Sequence, residues 1–146
     1  MTITATAPDA VIMPLKDEWL DKALKLNEMG SRFFTPYSSM YIHNQKDAVF
    51  GRLDGMVVGV LFYHLWGTLK RKNFCVGIIS VEPSYRGKGV GKAMLDCAYA
   101  VALESGSRAM RVEVKDNNAH SLALMKKSGF HKRRNEHGVV ILTRVL

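Results

Sequence analysis

The order of hydrophobic and polar positions divides the chain into short elements with two different periods. From residue 90 onward, apolar residues recur at the i, i+3, i+4, i+7 spacing of a helix with one buried face. The apolar positions of this helix are Val90, Ala93, Met94, Cys97, Ala98 and Val101. Two earlier apolar runs, 49–53 and 56–66, flank Asp54-Gly55. This dipeptide favours a two-residue hairpin turn because both residues must take positive φ, so the pattern predicts a β-hairpin here.

The same two periods and the turn residues assign the rest of the chain. The predicted strands are 10–13, 74–81, 109–114, 130–134 and 139–145, the predicted helices begin at Asp17 and span 118–128, and 68–73 is a polar turn. The helix at Asp17 is predicted to bury Trp19, Leu20, Ala23, Leu24 and Asn27. The aromatic segment 31–44 is interpreted as a substrate-lining loop or short helix. The predicted order is β-α-α-β-β-β-α-β-α-β-β.

The length and composition indicate one small domain. The 146 residues, 47% of them hydrophobic, are enough for one core and too few for two ordinary domains. We expect a flexible leader over residues 1–9 and a single domain over residues 10–146. The longest apolar run, 56–66, is shorter than the ~20 residues of a membrane span. A signal peptide begins with a basic stretch that is followed by an apolar one, and residues 1–10 do not have this pattern. The sequence therefore predicts a cytoplasmic protein with no membrane partner.

Two cysteines, Cys75 and Cys97, both lie in apolar runs. Their spacing matches neither a metal site nor a redox motif, and no metal is expected. Free, buried thiols in a reducing compartment are therefore predicted rather than a disulfide, in agreement with a cytoplasmic location.

The junction between the strand at 74–81 and the helix from residue 90 is rich in glycine and positive charge. It reads Arg86-Gly87-Lys88-Gly89-Val90-Gly91 and is followed by Lys92. Glycines let the backbone approach a ligand closely, and the N–H groups at a helix N-terminus attract an anion. A dinucleotide-binding fold is excluded, since there is no third glycine in register, no βαβ unit at the chain start, and no acidic residue about 20 residues on. The junction is predicted to bind a pyrophosphate.

The junction resembles the acetyl-coenzyme A signature of the Gcn5-related N-acetyltransferase (GNAT) family. The family pattern is Arg or Gln, any two residues, Gly, any residue, and Gly or Ala. Arg86, Gly89 and Gly91 fill it. A second stretch in the correct order also resembles the family. It consists of Val112-Glu113-Val114, Asn118, Ser121, Leu124, Met125 and a helix-ending Gly129-Phe130. The resemblance extends over residues 10–146 and is strongest over 74–130.

The resemblance implies an α/β fold: a central mixed, mostly antiparallel sheet of about seven strands, splayed at its two central parallel strands and flanked by about four helices. It implies acetyl-CoA as cosubstrate. The residues it assigns to the coenzyme are Ile79, Val81, Arg86, Gly87, Lys88, Gly89, Val90, Gly91, Lys92, Asn118, Ser121, Met125 and Lys127. Backbone groups of the strand ending at Val81 are expected to hydrogen-bond the pantetheine arm. Gly77 either marks the bulge that splays the strands or relieves packing.

Acetyl transfer to an amine needs a group that accepts the amine's proton. Glu113 resembles the glutamate proposed as proton acceptor in the ribosomal-protein alanine acetyltransferase branch of the family. Strand alternation places it on the face opposite Val112 and Val114. The alternative, equally weighted, is an exposed carboxylate paired with Arg111 or Lys115. Glu82, at a strand end, is the second catalytic candidate.

The departing thiolate also needs a proton. Many relatives have a Tyr four residues before the helix-ending Gly, but this chain has Met125 there, and a thioether cannot donate a proton. Ser121, Tyr85 or an ordered water is the expected donor, or the thiolate leaves unassisted. Because Met125 stands where many relatives have this Tyr, a non-catalytic acetyl-CoA sensor stays an alternative to an N-acetyltransferase.

A formal net charge of +8 is large for this length. Part of it is assigned to the coenzyme phosphates, through Lys88, Lys92, Lys126 and Lys127. The basic run 131–134 is interpreted as a solvated edge strand, because basic side chains protect sheet edges. The rival is an aminoacyl-tRNA- or RNA-associated acetyltransferase, although no aromatic residues interleave with the run. The amine acceptor is not identified, and a homodimer is left open.

Overall fold

A computed structural model describes residues 7–29, 36–68 and 70–146 of the protein. The elements are β1 (Asp9–Pro14), α1 (Asp17–Met29), α2 (Ser39–His43), β2 (Asp47–Leu53), β3 (Met56–Thr68), β4 (Arg71–Val81), a 3₁₀ turn (Pro83–Tyr85), α3 (Val90–Glu104), β5 (Ala109–Lys115), α4 (Ala119–Lys127), β6 (His131–Glu136) and β7 (Val139–Val145). This order of strands and α-helices is the predicted one. Within these ranges, no helix is long and apolar enough to cross a membrane.

The seven strands of the described residues form one sheet in the order β1-β2-β3-β4-β5-β7-β6. Strands β4 and β5 are parallel, with Asn73 opposite Ala109 and Val76 opposite Val112. The pairs β1 with β2, β2 with β3, β5 with β7 and β6 with β7 are antiparallel. A mixed, mostly antiparallel sheet with four α-helices confirms the predicted fold class. The splaying of the parallel strands and a bulge at Gly77 stay predictions.

The turns agree with the sequence at one hairpin and differ at the next. Asp54 and Gly55 have φ values of 53° and 76°, so the two-residue turn between β2 and β3 is confirmed. The polar turn predicted for 68–73 is wrong in its extent, because β3 continues to Thr68 and β4 begins at Arg71. Polar residues at 71–73 take part in a strand here, since strand pairing depends on backbone hydrogen bonds and does not require a buried side chain.

The chain divides into two compact units. The first unit contains the described residues up to Leu61 together with Ile78–Cys97. Its first strand is held by Asp9, whose carboxylate accepts hydrogen bonds of 3.0 and 2.7 Å from Arg52 on β2. The last residue of the predicted leader is therefore part of the sheet. Residues 1–6 lie outside the described part of the chain, so the rest of the leader stays a prediction.

In the first unit, α3 packs closely on the β2–β3 hairpin. Val90 and Met94 are 1% and 0% exposed. A Cβ added at Gly51 would lie 2.5 Å from Cγ1 of Val90, and one added at Gly59 would lie 2.9 Å from Cε of Met94. Because only glycine leaves room for these two side chains, Gly51 and Gly59 fix the position of the first turns of α3. The buried helix face predicted from periodicity is confirmed at both residues.

The second unit contains Phe62–Gly77 and Ala98–Leu146. Its largest buried side chains include Phe74, Met110 and Leu142. Arg144 of β7 connects two helices of this unit: its guanidinium lies 3.8 Å from the ring centroid of Tyr99, and its Nη1 donates a 2.9 Å hydrogen bond to the carbonyl of Ser128. Ser128 is the C-terminal cap of α4, so Arg144 satisfies a carbonyl that the helix itself leaves free.

Candidate active site

The glycine-rich junction connects β4 to α3 in the first unit. Nε of Arg86 turns back and donates a 3.1 Å hydrogen bond to the carbonyl of Val81. Gly87 and Gly89 have φ values of 75° and 89°, which side chains with a Cβ rarely adopt. The carbonyl of Gly89 then accepts a 3.0 Å hydrogen bond from the N–H of Ala93 and so begins the helix. The sequence therefore folds into a sharp turn that ends at a helix N-terminus.

The first turn of α3 offers hydrogen-bond donors and positive potential. The N–H groups of the first residues of a helix have no partner within it, and the helix dipole adds partial positive charge there. Val90 contributes only backbone to this surface, because its side chain is buried. Lys88 is exposed, with Nζ 5.6 Å from the ring centroid of Tyr85. Lys92 is exposed and pairs with Asp96 at 3.0 Å. This surface can bind an anion such as a phosphate.

The space around the two glycines with positive φ differs. A Cβ added at Gly87 would meet no atom within 4 Å. One added at Gly89 would lie 3.3 Å from Cγ of Pro8. No pattern in the sequence connects Pro8 with the junction, because this proximity arises only from the fold.

The end of β4 presents two predicted coenzyme contacts. Ser80 is buried, and its Oγ donates to the carbonyl of Leu26 in α1. Because strand residues alternate between faces, the half-buried side chains of Ile79 and Val81 point to the opposite face. The carbonyl of Val81 is already an acceptor for Arg86. Glu82, also half-buried, follows the strand, and its N–H donates a 2.7 Å hydrogen bond to the carbonyl of Val58.

Glu113 lies on β5 in the second unit. Its side chain is 59% exposed, while Val112 and Val114 are buried, so the predicted strand alternation is confirmed. Its Oε1 accepts a 3.1 Å hydrogen bond from Nη2 of Arg111. The structure thus contains the ion pair that the sequence left as the alternative. A catalytic role for Glu113 stays a prediction.

Cys75 lies opposite Arg111 in the parallel register of β4 and β5. Burial raises the pKa of the Cys75 thiol, the nearby Arg111 charge opposes this effect, and Glu113 adds to it. Burial also raises the pKa of the Cys97 thiol. Both cysteines are free, as predicted, but they are half-buried and not fully buried.

The second predicted motif shapes the start of α4. Asn118 is the N-cap, and its Oδ1 accepts a 3.2 Å hydrogen bond from the N–H of Ser121. Ser121 is half-buried, whereas Lys126 and Lys127 are exposed. Met125 is 2% exposed and packs in the core. Met125 therefore has little exposed surface with which to contact the coenzyme. The predicted coenzyme roles of Asn118, Ser121, Met125 and Lys127 stay predictions.

The aromatic segment 31–44 is described from residue 36 onward, and Phe33 and Phe34 lie outside the described residues. Asn27 of α1 is buried and holds Tyr37 by two hydrogen bonds of 2.9 and 3.1 Å. Burial raises the pKa of the Tyr37 phenol, and Tyr41, whose ring centroid lies 4.4 Å away, adds to the shift. The only sequence signal of this anchor was an amide on an otherwise apolar helix face. The role of the segment in substrate binding stays a prediction.

The two motifs occur together in a known family. A family model for the acetyltransferase (GNAT) family matches residues 13–130, a range that includes the junction, β5 and α4. The chain belongs to this acetyltransferase family. The GNAT resemblance inferred from Arg86, Gly89 and the stretch from Val112 to Phe130 is therefore confirmed.

Two curated relatives match parts of this GNAT chain. Over 74 residues it is 36% identical to a thialysine N-epsilon-acetyltransferase of Bos taurus, a match that covers 50% of the chain and 44% of the relative. Over 129 residues it is 28% identical to a mycothiol acetyltransferase of Beutenbergia cavernae, a match that covers 86% of the chain and 37% of the relative. The chain thus spans less than half the length of either relative.

A solved structure shares the GNAT fold. The structure of the NatC complex bound to Gag peptide and CoA has a chain that superposes with a TM-score of 0.76 at 19% identity, covering 94% of this chain and 99% of that one. At this identity the likeness shows the fold alone.

Proposed function

We propose that the protein is an acetyl-CoA-dependent N-acetyltransferase that transfers the acetyl group to a primary amine by direct attack in a ternary complex. The observation that carries the proposal is the junction in the first unit, where a turn with positive φ at Gly87 and Gly89 leads into the N-terminus of α3. Acetyl-CoA, the cosubstrate that GNAT family membership implies, is the proposed anionic ligand of this surface.

The junction suits a pyrophosphate for three physical reasons. The free N–H groups at the start of α3 are donors for phosphate oxygens. The two glycines have no Cβ, so a ligand can approach their backbone closely. The exposed Lys88 adds a formal positive charge beside them. Together these features favour a phosphate-bearing ligand over a neutral one.

The chemistry requires one new bond and two proton movements. The neutral amine nitrogen attacks the thioester carbonyl, the C–N bond forms, the C–S bond breaks, and the electron pair leaves with sulfur. The amine loses a proton to Glu113, or to Glu82 as the second candidate, and Ser121 or water gives a proton to the thiolate.

The nature of the acceptor is the finer part of the proposal. The relative from Bos taurus is named for an acetylated ε-nitrogen, so primary amines at the end of a flexible chain are the first acceptors to test. Peptide amines follow, because the NatC chain with the same fold was solved with a peptide. We further propose that the protein acts in the cytoplasm as a single domain.

Two specific observations favour other functions. The buried Met125 at the position of the usual acid favours a sensor that binds acetyl-CoA without turnover. The four exposed basic residues at 131–134 of the edge strand β6 favour an RNA-associated enzyme. Both functions rank after the amine acetyltransferase, because the family model that matches the chain is that of acetyltransferases.

The experiment is a screen of small amines, peptides and aminoacyl-tRNA for release of free coenzyme A thiol, with acetyl-CoA binding measured in parallel by calorimetry. Binding with transfer to an amine supports the enzyme. Binding without transfer to any acceptor supports the sensor, and absence of binding contradicts the proposal altogether. Transfer to tRNA that declines steeply with salt supports the RNA-associated enzyme.

A further inference from the structure

One face of the sheet in the second unit carries an unusual set of charged side chains. Cys75 lies opposite Arg111, and Arg111 lies opposite Thr143. Residues that are directly opposite in neighbouring strands point to the same face. Glu113, two residues after Arg111, shares this face. We call this the polar face, and it extends across β4, β5 and β7.

A bulge adds two arginines from the edge strand. The register of β6 with β7 shifts between Lys132 and Arg134, so Arg133 is an extra residue in the strand. Bulges redirect side chains, and here Nε of Arg133 donates a 2.7 Å hydrogen bond to Oγ1 of Thr143, on the polar face. Arg134 lies opposite Ile141, which lies opposite Glu113, so Arg134 also points to this face.

The charges of the polar face are unequal. Arg111 pairs with Glu113, and Arg134 pairs with Glu136. Within the described residues, Arg133 has a neutral hydroxyl as its partner and no carboxylate. Since Nε is used by Thr143, the two terminal nitrogens of Arg133 remain as donors. The polar face therefore has one guanidinium that is held in place and still able to bind a single negative charge.

We propose that Arg133 binds a carboxylate of the acceptor, so that the preferred acceptors are amino acids or related amines with a carboxylate on the same chain. This inference rests on the proposed function. Among Arg111, Arg133 and Arg134, only Arg133 lacks a carboxylate partner within the described residues, and its two terminal nitrogens match the two oxygens of a carboxylate. Arg133 provides the charge, and Thr143 is a positioning residue that holds it.

The separation of the charges sets the size of the acceptor. Thr143 and Glu113 are diagonal neighbours on two paired strands, so they are about 7–8 Å apart. An amine that reaches Glu113 while its carboxylate contacts Arg133 needs a chain of about five methylenes to cover that distance. The probe of this length is 6-aminohexanoate, and its matched neutral analogue is 6-aminohexanamide.

The experiment compares kcat/KM for these two acceptors by thiol release from acetyl-CoA. The native protein is expected to prefer the carboxylate by about threefold to fivefold, because an ion pair at an exposed arginine such as Arg133 contributes little. Arg133→Gln should remove the preference by lowering kcat/KM for the carboxylate. Arg134→Gln, the neighbouring arginine that has its own carboxylate partner, is the control and should keep it. Thr143→Val should lower the preference through KM of the carboxylate alone.

Several outcomes would overturn the inference. Equal rates for the two acceptors, or a preference that survives Arg133→Gln, would show that Arg133 does not bind the acceptor while leaving the acetyltransferase intact. A preference for 6-aminohexyl phosphate over 6-aminohexanoate would show that the ligand of Arg133 is a dianion and not a carboxylate. If the native protein retains tRNA, and Arg133→Gln and Arg134→Gln lose this retention equally, the edge strand β6 binds RNA and not the acceptor. If the protein binds acetyl-CoA but acetylates no acceptor, the proposed function and this inference fail together.

Discussion

Nε of Arg86 donates a 3.1 Å hydrogen bond to the carbonyl of Val81, and so ties the glycine-rich junction back to the strand that precedes it. The bond spans only five residues, yet it closes the turn that leads to Gly87 and Gly89. An arginine in the family signature therefore has a structural task in this chain: it holds the backbone of the glycine-rich turn in shape.

Arg86→Lys keeps the positive charge but loses the planar N–H fork. The variant therefore separates the effect of the hydrogen bond to Val81 from the electrostatic attraction of the ligand. We expect the variant to lower the free energy of unfolding by about 1 kcal/mol, the value of one hydrogen bond. Acetyl-CoA affinity should fall at least about threefold, since the junction is less ordered. Calorimetry and urea unfolding measure the two effects. Native affinity in Arg86→Lys would mean that the charge of Arg86, and not its bond to Val81, is what matters.

Proton transfer from the amine is tested by Glu113→Gln. If Glu113 is the base, kcat should fall by about 10²- to 10⁴-fold with little change in acetyl-CoA affinity. Glu136→Gln is the matched control, because Glu136 is also exposed and paired with an arginine on the same face. A fall of less than about threefold for Glu113→Gln, combined with a large fall for Glu82→Gln, would transfer the role to Glu82.

The thiolate donor is tested at α4. Ser121→Ala should lower kcat by about 10²-fold if the Ser121 hydroxyl protonates the thiolate. Ser128→Ala is a matched control in the same unit, because the buried Ser128 Oγ has no hydrogen-bond partner in the described structure and its loss should not alter the rate. Equal rates for the two variants would leave water as the donor.

Met125→Tyr tests whether the missing tyrosine limits the reaction. Because Met125 is 2% exposed, the larger ring should overpack the core and lower the free energy of unfolding by about 1–3 kcal/mol. We expect no gain in turnover, since a buried phenol cannot reach a thiolate. Rapid kinetics at saturating acetyl-CoA and thermal unfolding measure these effects. A faster, stably folded variant would show that position 125 does face the reacting sulfur.

Much of the fold could be predicted because burial leaves a periodic trace in the sequence. The α3 face at Val90 and Met94 and the turn at Asp54-Gly55 depend on residues close together in the chain, where spacing and φ preference are informative. The junction from Arg86 to Gly91 was found for the same reason, since a strand, a glycine loop and a helix follow each other directly.

The remainder depends on contacts between distant residues. The bond from Asn27 to Tyr37, the approach of Pro8 to Gly89 and the bulge that directs Arg133 to Thr143 leave no periodic signal, because each follows from how the elements pack. The error at 68–73 has a different cause: polarity indicates exposure, and charged residues such as Lys and Arg occur both in turns and in exposed strands.

Binding of acetyl-CoA at the glycine-rich junction is tested most sharply by calorimetry of Gly89→Val beside Gly106→Val. Both glycines have positive φ, 89° and 75°, so both variants should lose about 1–2 kcal/mol of stability from backbone strain alone. Gly106 lies after α3, at the opposite end from the junction. We expect at least about tenfold weaker binding for Gly89→Val, the value of one charge-assisted hydrogen bond, and native binding for Gly106→Val. Native affinity in a folded Gly89→Val protein would contradict binding at the junction.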